Sequence, residues 1–243
     1  MAKNRFIYVD CDLNQDKSRK NLRSERMIKL VIFDMDGVLT STTYEHFEAW
    51  NFLFCKHFNI ELDPTLEVKT KGVSRMDSLT VLLNHYHLDI DDSQKEKLAD
   101  EKNAYYQELI AKFDETKVID GVIPLLDFLK TKNLKLALGS ASKNGPFLLK
   151  CLGLGDYFDY VVDPTKLKSK PEPDIFTDAM LHFNFKSSEC LGFEDAVAGI
   201  EAIKRAGMTA IGVGNENLTR ADIYVEKLQN LDLVQLEKLI LAY

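Results

Sequence analysis

The stretch Lys29-Leu30-Val31-Ile32-Phe33, followed by Asp34-Met35-Asp36-Gly37, constrains this chain more than any other. Its apolar residues are mostly branched or aromatic and do not alternate with polar ones. That pattern predicts a strand buried on both faces, as in a parallel sheet covered by helices. The run stops at two carboxylates one residue apart, and Gly37 lets the backbone turn out of the strand. At a strand's period of two, Asp34 and Asp36 point to the same side. Two like charges at the end of an apolar strand are costly unless a positive group sits between them. A divalent cation with oxygen ligands is the natural candidate, and Mg²⁺ the common one in phosphate chemistry. Aspartate is also frequent in strand-to-loop turns, so the pair acquires meaning only from partners elsewhere.

From residue 41 to residue 118 the pattern is helical. Ser41-Thr42-Thr43 offers an N-cap region, and Phe47, Trp50, Phe54 and Phe58 form an apolar stripe. Further helices are expected over 62–68, 75–85 and 93–113. Beyond residue 119 helices and strands alternate. Helices are expected over 122–130, 146–151, 174–182, 197–205 and 231–241, and strands over 134–138, 160–162, 190–193, 209–213 and 221–225. This predicts an α/β fold, a Rossmann-like parallel sheet with helices on both faces. Residues 27–40 and 119–243 would form the core, with residues 41–118 as a helical cap inserted after the first strand. Residues 1–26 are expected to be a poorly ordered extension, in which Val9-Asp10-Cys11-Asp12 imitates the later motif without its glycine.

The totals narrow the function. A net charge of −7 over 243 residues provides no general basic footprint for nucleic acid or an anionic membrane, although a small anion senses only local charge. The four cysteines are widely spaced, which argues against a disulfide scaffold or a zinc site. No run approaches the roughly 18 apolar residues needed to span a bilayer. The expectation is a monomer in a reducing cytoplasm, with neither nucleic acid nor membrane as partner.

Ligands of open parallel sheets bind beyond the carboxyl ends of the strands. Standing there are Asp34 and Asp36, Ser140 after the second strand, and Glu194-Asp195 after the strand at 190–193. Lys170 of Ser169-Lys170-Pro171 lies on the loop before a helix. Each has an ordinary reading, as turn serine, solvated lysine or helix-capping acid. Together they supply a cation site, a hydroxyl donor and a fixed positive charge, the set needed for phosphoryl transfer. One aspartate can act as nucleophile once a cation screens it, and the other can move a proton.

These four segments, in this order, resemble the motifs of the haloacid dehalogenase superfamily. The resemblance implies Asp34 as nucleophile and Asp36 as general acid/base. It further implies Ser140 and Lys170 as phosphate ligands, and a Mg²⁺ site formed by Asp34, Asp36, Glu194 and Asp195. Within the superfamily the chain is similar to the β-phosphoglucomutase family. The similarity rests on Glu45-His46-Phe47-Glu48-Ala49-Trp50, Lys71-Gly72-Val73-Ser74-Arg75, Lys102-Asn103-Ala104-Tyr105 and Ser140-Ala141-Ser142-Lys143-Asn144-Gly145-Pro146. It implies a second phosphate site at Gly72, Val73, Ser74 and Arg75, and sugar and phosphate contacts at Ala141, Ser142, Lys143 and Asn144. His46 would orient the acid/base or a sugar hydroxyl, with Ser78 and Lys102 near the sugar. Trp50 joins the lining residues, core packing within the cap being its ordinary reading. Ser41 stands where many relatives carry aspartate, at the hinge to the cap. The implied reaction converts β-D-glucose 1-phosphate to D-glucose 6-phosphate through an aspartyl phosphate and β-glucose 1,6-bisphosphate. The alternative is a phosphatase of sugar phosphates or other small phosphates. A fork-shaped arginine in the cap suits the mutase, which must hold a phosphate at both ends of a hexose.

Overall fold

The computed structural model describes residues 27–70, 74–214 and 218–242. The expectations for residues 1–26 and for Gly72 and Val73 lie outside these. The chain enters through β1 (Leu30–Phe33) and then forms four helices, α1 (Thr43–Phe58), α2 (Glu67–Thr70), α3 (Arg75–His85) and α4 (Asp92–Ile110). It continues through α5 (Val122–Thr131), β2 (Lys135–Leu138), α6 (Gly145–Cys151), β3 (Tyr160–Val161) and α7 (Asp174–Phe183). The remaining elements are β4 (Cys190–Glu194), α8 (Val197–Arg205), β5 (Thr209–Val213), β6 (Ile223–Val225) and α9 (Leu233–Ala242).

The six strands form one parallel sheet in the order β3-β2-β1-β4-β5-β6, with β1 between β2 and β4. The chain runs outward from β1 in both directions, so the ends of β1, β2 and β4 meet at the centre. Strand pleating divides the core. Val31 and Phe33 turn to the side packed by Leu125 and Leu129 of α5, Leu148 of α6 and Ile240 of α9. Leu30 and Ile32 turn to the side packed by Ile175 and Phe176 of α7 and Ile200 and Ile203 of α8. α1, α3 and α4 hold a third apolar cluster of their own, built on Trp50, Leu53, Phe54, Leu79, Leu82 and Leu98. A helical unit with its own core thus stands between β1 and α5, the α/β fold with an inserted cap.

Three expectations about the cap shift, while several core elements differ from theirs by one or two residues at an end. The helix expected over 62–68 is a single 3₁₀ turn, Pro64–Leu66, followed by α2. Asp63 caps it by accepting the Thr65 N–H, and Pro64, lacking an N–H, sits in its first turn. The long cap helix starts one residue early and stops at Ile110 rather than 113. Asp91 and Gln94 form a reciprocal capping box at its start. Thr42 precedes α1 but makes no side-chain cap, because its hydroxyl is engaged elsewhere.

Candidate active site

β1 delivers Asp34 and Asp36 where the strand order turns back on itself, and β4 ends beside it at Glu194 and Asp195. Two glycines make the close approach possible. A Cβ on Gly37, whose φ is +73°, would lie 1.6 Å from Asp195 Oδ2, and one on Gly199 would lie 1.9 Å from Glu194 Cδ. Asp34, Glu194 and Asp195 each bring an oxygen into a group spanning no more than 4.8 Å. Three hard oxygen donors at that spacing suit a divalent cation of the Mg²⁺ type.

Lys170 reaches the same group from the loop before α7. Its Nζ donates to Asp34 Oδ1 at 2.7 Å and to Glu194 Oε1 at 2.5 Å, with all three side chains at most 8% exposed. Burial opposes the charge of Lys170, but Asp34 and Glu194 outweigh it and hold the ammonium above the ordinary lysine pKa. Burial raises Glu194 above the usual carboxylate range, against the pull of Lys170. Glu194 also accepts the N–H groups of Asp195 and Ala196, which fixes its second oxygen.

Asp36 behaves differently. Its carboxylate does not join the acidic group and instead accepts the N–H of Thr42 at 3.0 Å together with the Thr42 hydroxyl. Its other oxygen stands 3.9 Å from His46 Nε2. Burial, and then the charge of Asp34, raise Asp36 to about 6. The structure therefore separates the two aspartates, Asp34 with the cation group and Asp36 with the linker to the cap.

The cap covers this floor with a cationic cluster. Lys102 is 1% exposed; its Nζ lies 2.6 Å from His46 Nδ1 and over the rings of Trp50 and Tyr106 at 4.9 and 4.6 Å. The His46 ring stacks on Tyr106 with centroids 4.0 Å apart. Burial, reinforced by Arg75, lowers Lys102 to about 7 despite Asp36. Burial and the charges of Lys102 and Arg75 push His46 well below its ordinary value, so it is neutral at pH 7. When Lys102 is protonated it can only donate to Nδ1, and the His46 proton then sits on Nε2, facing Asp36.

Between floor and cap lies a cavity of about 520 Å³. Every expected site residue among the described ones lines it except Glu194, which is fully buried behind Lys170. Ser140, Ala141, Ser142, Lys143 and Asn144 form its core wall, where Ser140 Oγ accepts the Ser142 N–H and Ser142 Oγ accepts the Asn144 N–H. Arg75 and the half-buried Ser74 lie at the start of α3. The Ser74 hydroxyl caps that helix through Asp77, and the Ser78 hydroxyl donates to the Thr70 carbonyl. Trp50 is both lining and core, 2% exposed in the cap cluster. Sequence reasoning missed Thr42, Tyr106 and Asn103. Thr42 looked like a helix cap; Asn103 stands in the segment Lys102-Asn103-Ala104-Tyr105 that carries the family resemblance but has no role implied there, and Tyr106 lies one residue beyond it.

With this geometry in hand, comparison with known proteins is direct. The profile of the haloacid dehalogenase-like hydrolases matches residues 28–207. The chain belongs to that family. It is 40% identical over 210 residues to β-phosphoglucomutase of Bacillus subtilis, an alignment covering 85% of this chain and 92% of the relative. A crystal structure of β-phosphoglucomutase from Clostridium difficile superposes with a TM-score of 0.84 at 38% identity, covering 88% of this chain and 97% of the other. The phosphorylated carbohydrates phosphatase of Thermotoga maritima is 33% identical over 190 residues, covering 76% and 84%. The chain is a member of an enzyme family, and among the described residues no helix is long and apolar enough to cross a membrane.

Proposed function

We propose that this protein is a β-phosphoglucomutase, converting β-D-glucose 1-phosphate to D-glucose 6-phosphate. One observation carries the reading: besides Lys102, whose ammonium is engaged by His46, the cap opens a guanidinium, Arg75, on the same cavity as Lys170. A phosphatase needs one anion site; a mutase that turns a bisphosphate round needs two. A cavity of about 520 Å³ is within the range of small-ligand sites and suits a phosphorylated hexose. The 40% identity to the B. subtilis mutase supports the same choice.

In this reading Asp34 carries the phosphoryl group. A sugar hydroxyl at C6 attacks the phosphorus of phospho-Asp34, the Asp34 carboxylate leaves, and Asp36 takes the hydroxyl proton. The resulting β-glucose 1,6-bisphosphate turns round. Asp34 then attacks the phosphorus at C1, and Asp36 returns its proton to the departing C1 oxygen, releasing glucose 6-phosphate. Lys170 and Ser140 hold the transferring phosphate, Arg75 and Asn144 the other one. Mg²⁺ held by Asp34, Glu194 and Asp195 would supply charge neutralisation at the reacting phosphate. Neutral His46, backed by Lys102, offers Asp36 a donor and so biases its ionisation. Closure of the cap over the cavity during turnover would exclude water and so protect the acyl phosphate from hydrolysis. The protein is proposed to act as a cytoplasmic monomer.

The second reading, a sugar-phosphate phosphatase, has support in the 33% identity to the T. maritima phosphatase; there water replaces the sugar hydroxyl. An assay of α- and β-glucose 1-phosphate separates the two. The mutase gives glucose 6-phosphate from the β anomer with little inorganic phosphate. Free glucose and phosphate appearing as fast as substrate disappears would overturn the proposal.

A further inference from the structure

Behind Arg75 a short chain of hydrogen bonds crosses from cap to core. Arg75 Nη2 donates to Asn103 Oδ1 at 2.7 Å, and Arg75 Nη1 approaches the Ala99 carbonyl at 3.5 Å. The same Asn103 oxygen accepts from Asn144 Nδ2 at 2.9 Å, and Asn144 Oδ1 accepts from Gln107 Nε2 at 2.9 Å. A guanidinium can only donate, so Arg75 fixes which end of the Asn103 amide faces it. With that oxygen set, Asn144 must offer its NH₂ and turn its own oxygen to Gln107. The direction of the whole chain follows from one arginine.

The residues come from separate places: Arg75 from α3, Asn103 and Gln107 from α4, and Asn144 from the turn that opens α6. Asn103 and Gln107 stand four apart and share one face of α4. Neither lines the cavity, whereas Arg75 and Asn144 both do. One amide oxygen therefore ties together the cap residue and the core residue that converge on the second anion site.

We infer that Asn103 is a positioning residue for the second phosphate: it orients Arg75 and joins it to Asn144, so that this site is assembled only when cap and core meet. Gln107 acts one step further out by holding the Asn144 amide. Arg75 Nη1 also stands 3.8 Å from the exposed Asp100 carboxylate, and the donors not spent on Asn103, Ala99 and Asp100 remain for the anion, with the guanidinium plane already set. The ligand class is a phosphate monoester dianion on the sugar end remote from Asp34. This inference rests on the mutase reading, which supplies the need for that site.

The test uses the full-length protein with Asn103→Leu, which keeps the size and loses both acceptor bonds, and Gln107→Met, which changes an exposed side chain and removes its donor to Asn144. KM for β-glucose 1-phosphate in isomerisation is compared with KM for acetyl phosphate, which needs only the Asp34 side of the cavity. Asn103→Leu should raise the first at least about tenfold more than the second, and Gln107→Met about twofold to fivefold more. In an Arg75→Ala background the Asn103→Leu effect should shrink, because it acts largely through that arginine. Equal rises for both substrates, or a loss fully additive with Arg75→Ala, would assign Asn103 to general cap stability and overturn the inference. Should Asn103→Leu not fold, Gln107→Met decides by the same ratio. Wild-type protein run alongside keeps the two questions apart. If it releases phosphate instead of forming glucose 6-phosphate, the mutase reading fails. The positioning role is then scored by glucose 6-phosphate inhibition of acetyl phosphate hydrolysis, weakened in Asn103→Leu if it stands and unchanged if it does not.

Discussion

Replacing Lys170 by methionine tests the electrostatic design of the site at its centre. The ammonium bonds Asp34 and Glu194 at 2.7 and 2.5 Å, and the three side chains are 1%, 8% and 0% exposed. Methionine fills most of the volume and leaves two buried carboxylates facing each other without a cation. Removing one partner from such a buried cluster costs about 3–5 kcal/mol. For a chain of this size that corresponds to roughly 6–20 °C in Tm. The loss should depend on pH, and its sign can be worked out. The pKa of Lys170 is raised in the folded state, so its contribution is complete below the ordinary lysine value and constant between pH 5 and 9. In the variant, Glu194 is raised further above its unfolded value. The folded form then binds protons more tightly than the unfolded form and loses that advantage as pH rises. The deficit should therefore be small at pH 5 and full at pH 8, and adding Mg²⁺ should narrow it, because carboxylates no longer paired to Lys170 bind the cation more tightly in the variant than in the wild type. Urea unfolding of both proteins across this range, with EDTA and with Mg²⁺, measures it. A deficit below about 1 kcal/mol at pH 7.5, the scale of an exposed pair, would refute the reasoning, and so would one that grows toward pH 5.

Two further outcomes follow from the same geometry. Gly199→Ala places a methyl group 1.9 Å from Glu194 Cδ, and that carboxyl can move aside only by giving up its bonds to Lys170 and to the Asp195 and Ala196 N–H groups. It should cost about 1–3 kcal/mol and weaken Mg²⁺ binding in calorimetry, while a wild-type binding isotherm would show that Glu194 does not contribute to the site. Because attack by a sugar hydroxyl needs ionised Asp36, the rate from phosphorylated enzyme should rise with pH through about 6. Asp36→Asn should abolish that limb; a profile with the same limb in the variant would assign the titration to another group.

Much of the fold was legible because it is periodic. The helices at 75–85 and 197–205 and the strand at 209–213 have the bounds that their apolar spacing predicts. The strand-end residues were legible for a topological reason, since parallel strands must present their carboxyl ends on one side. What the pattern concealed lies in contacts between elements. Thr42 reads as a helix cap from its neighbours, yet its hydroxyl goes to Asp36, six residues back across the linker. The pair spacing places both aspartates at the strand end, but it does not reveal that the Asp34 carboxylate lies with Glu194 and Asp195 while the Asp36 carboxylate accepts from Thr42. Asn103 and Tyr106 stand one and four residues after Lys102 in a charge-rich helix, and although Asn103 belongs to a segment that resembles the family, nothing local shows what either side chain contacts. Their roles arise from α1 and α3 packing against α4, and from the core wall that meets Asn103.

The central claim is that Asp34 hands its phosphoryl group to a sugar hydroxyl rather than to water. Protein phosphorylated with ³²P-labelled acetyl phosphate, mapped by mass spectrometry to Asp34, and chased with unlabelled β-glucose 1-phosphate tests it in one turnover. The account predicts label in glucose 1,6-bisphosphate and then glucose 6-phosphate. Label released as inorganic phosphate at the rate the phosphoenzyme decays, or found on a residue other than Asp34, would contradict it.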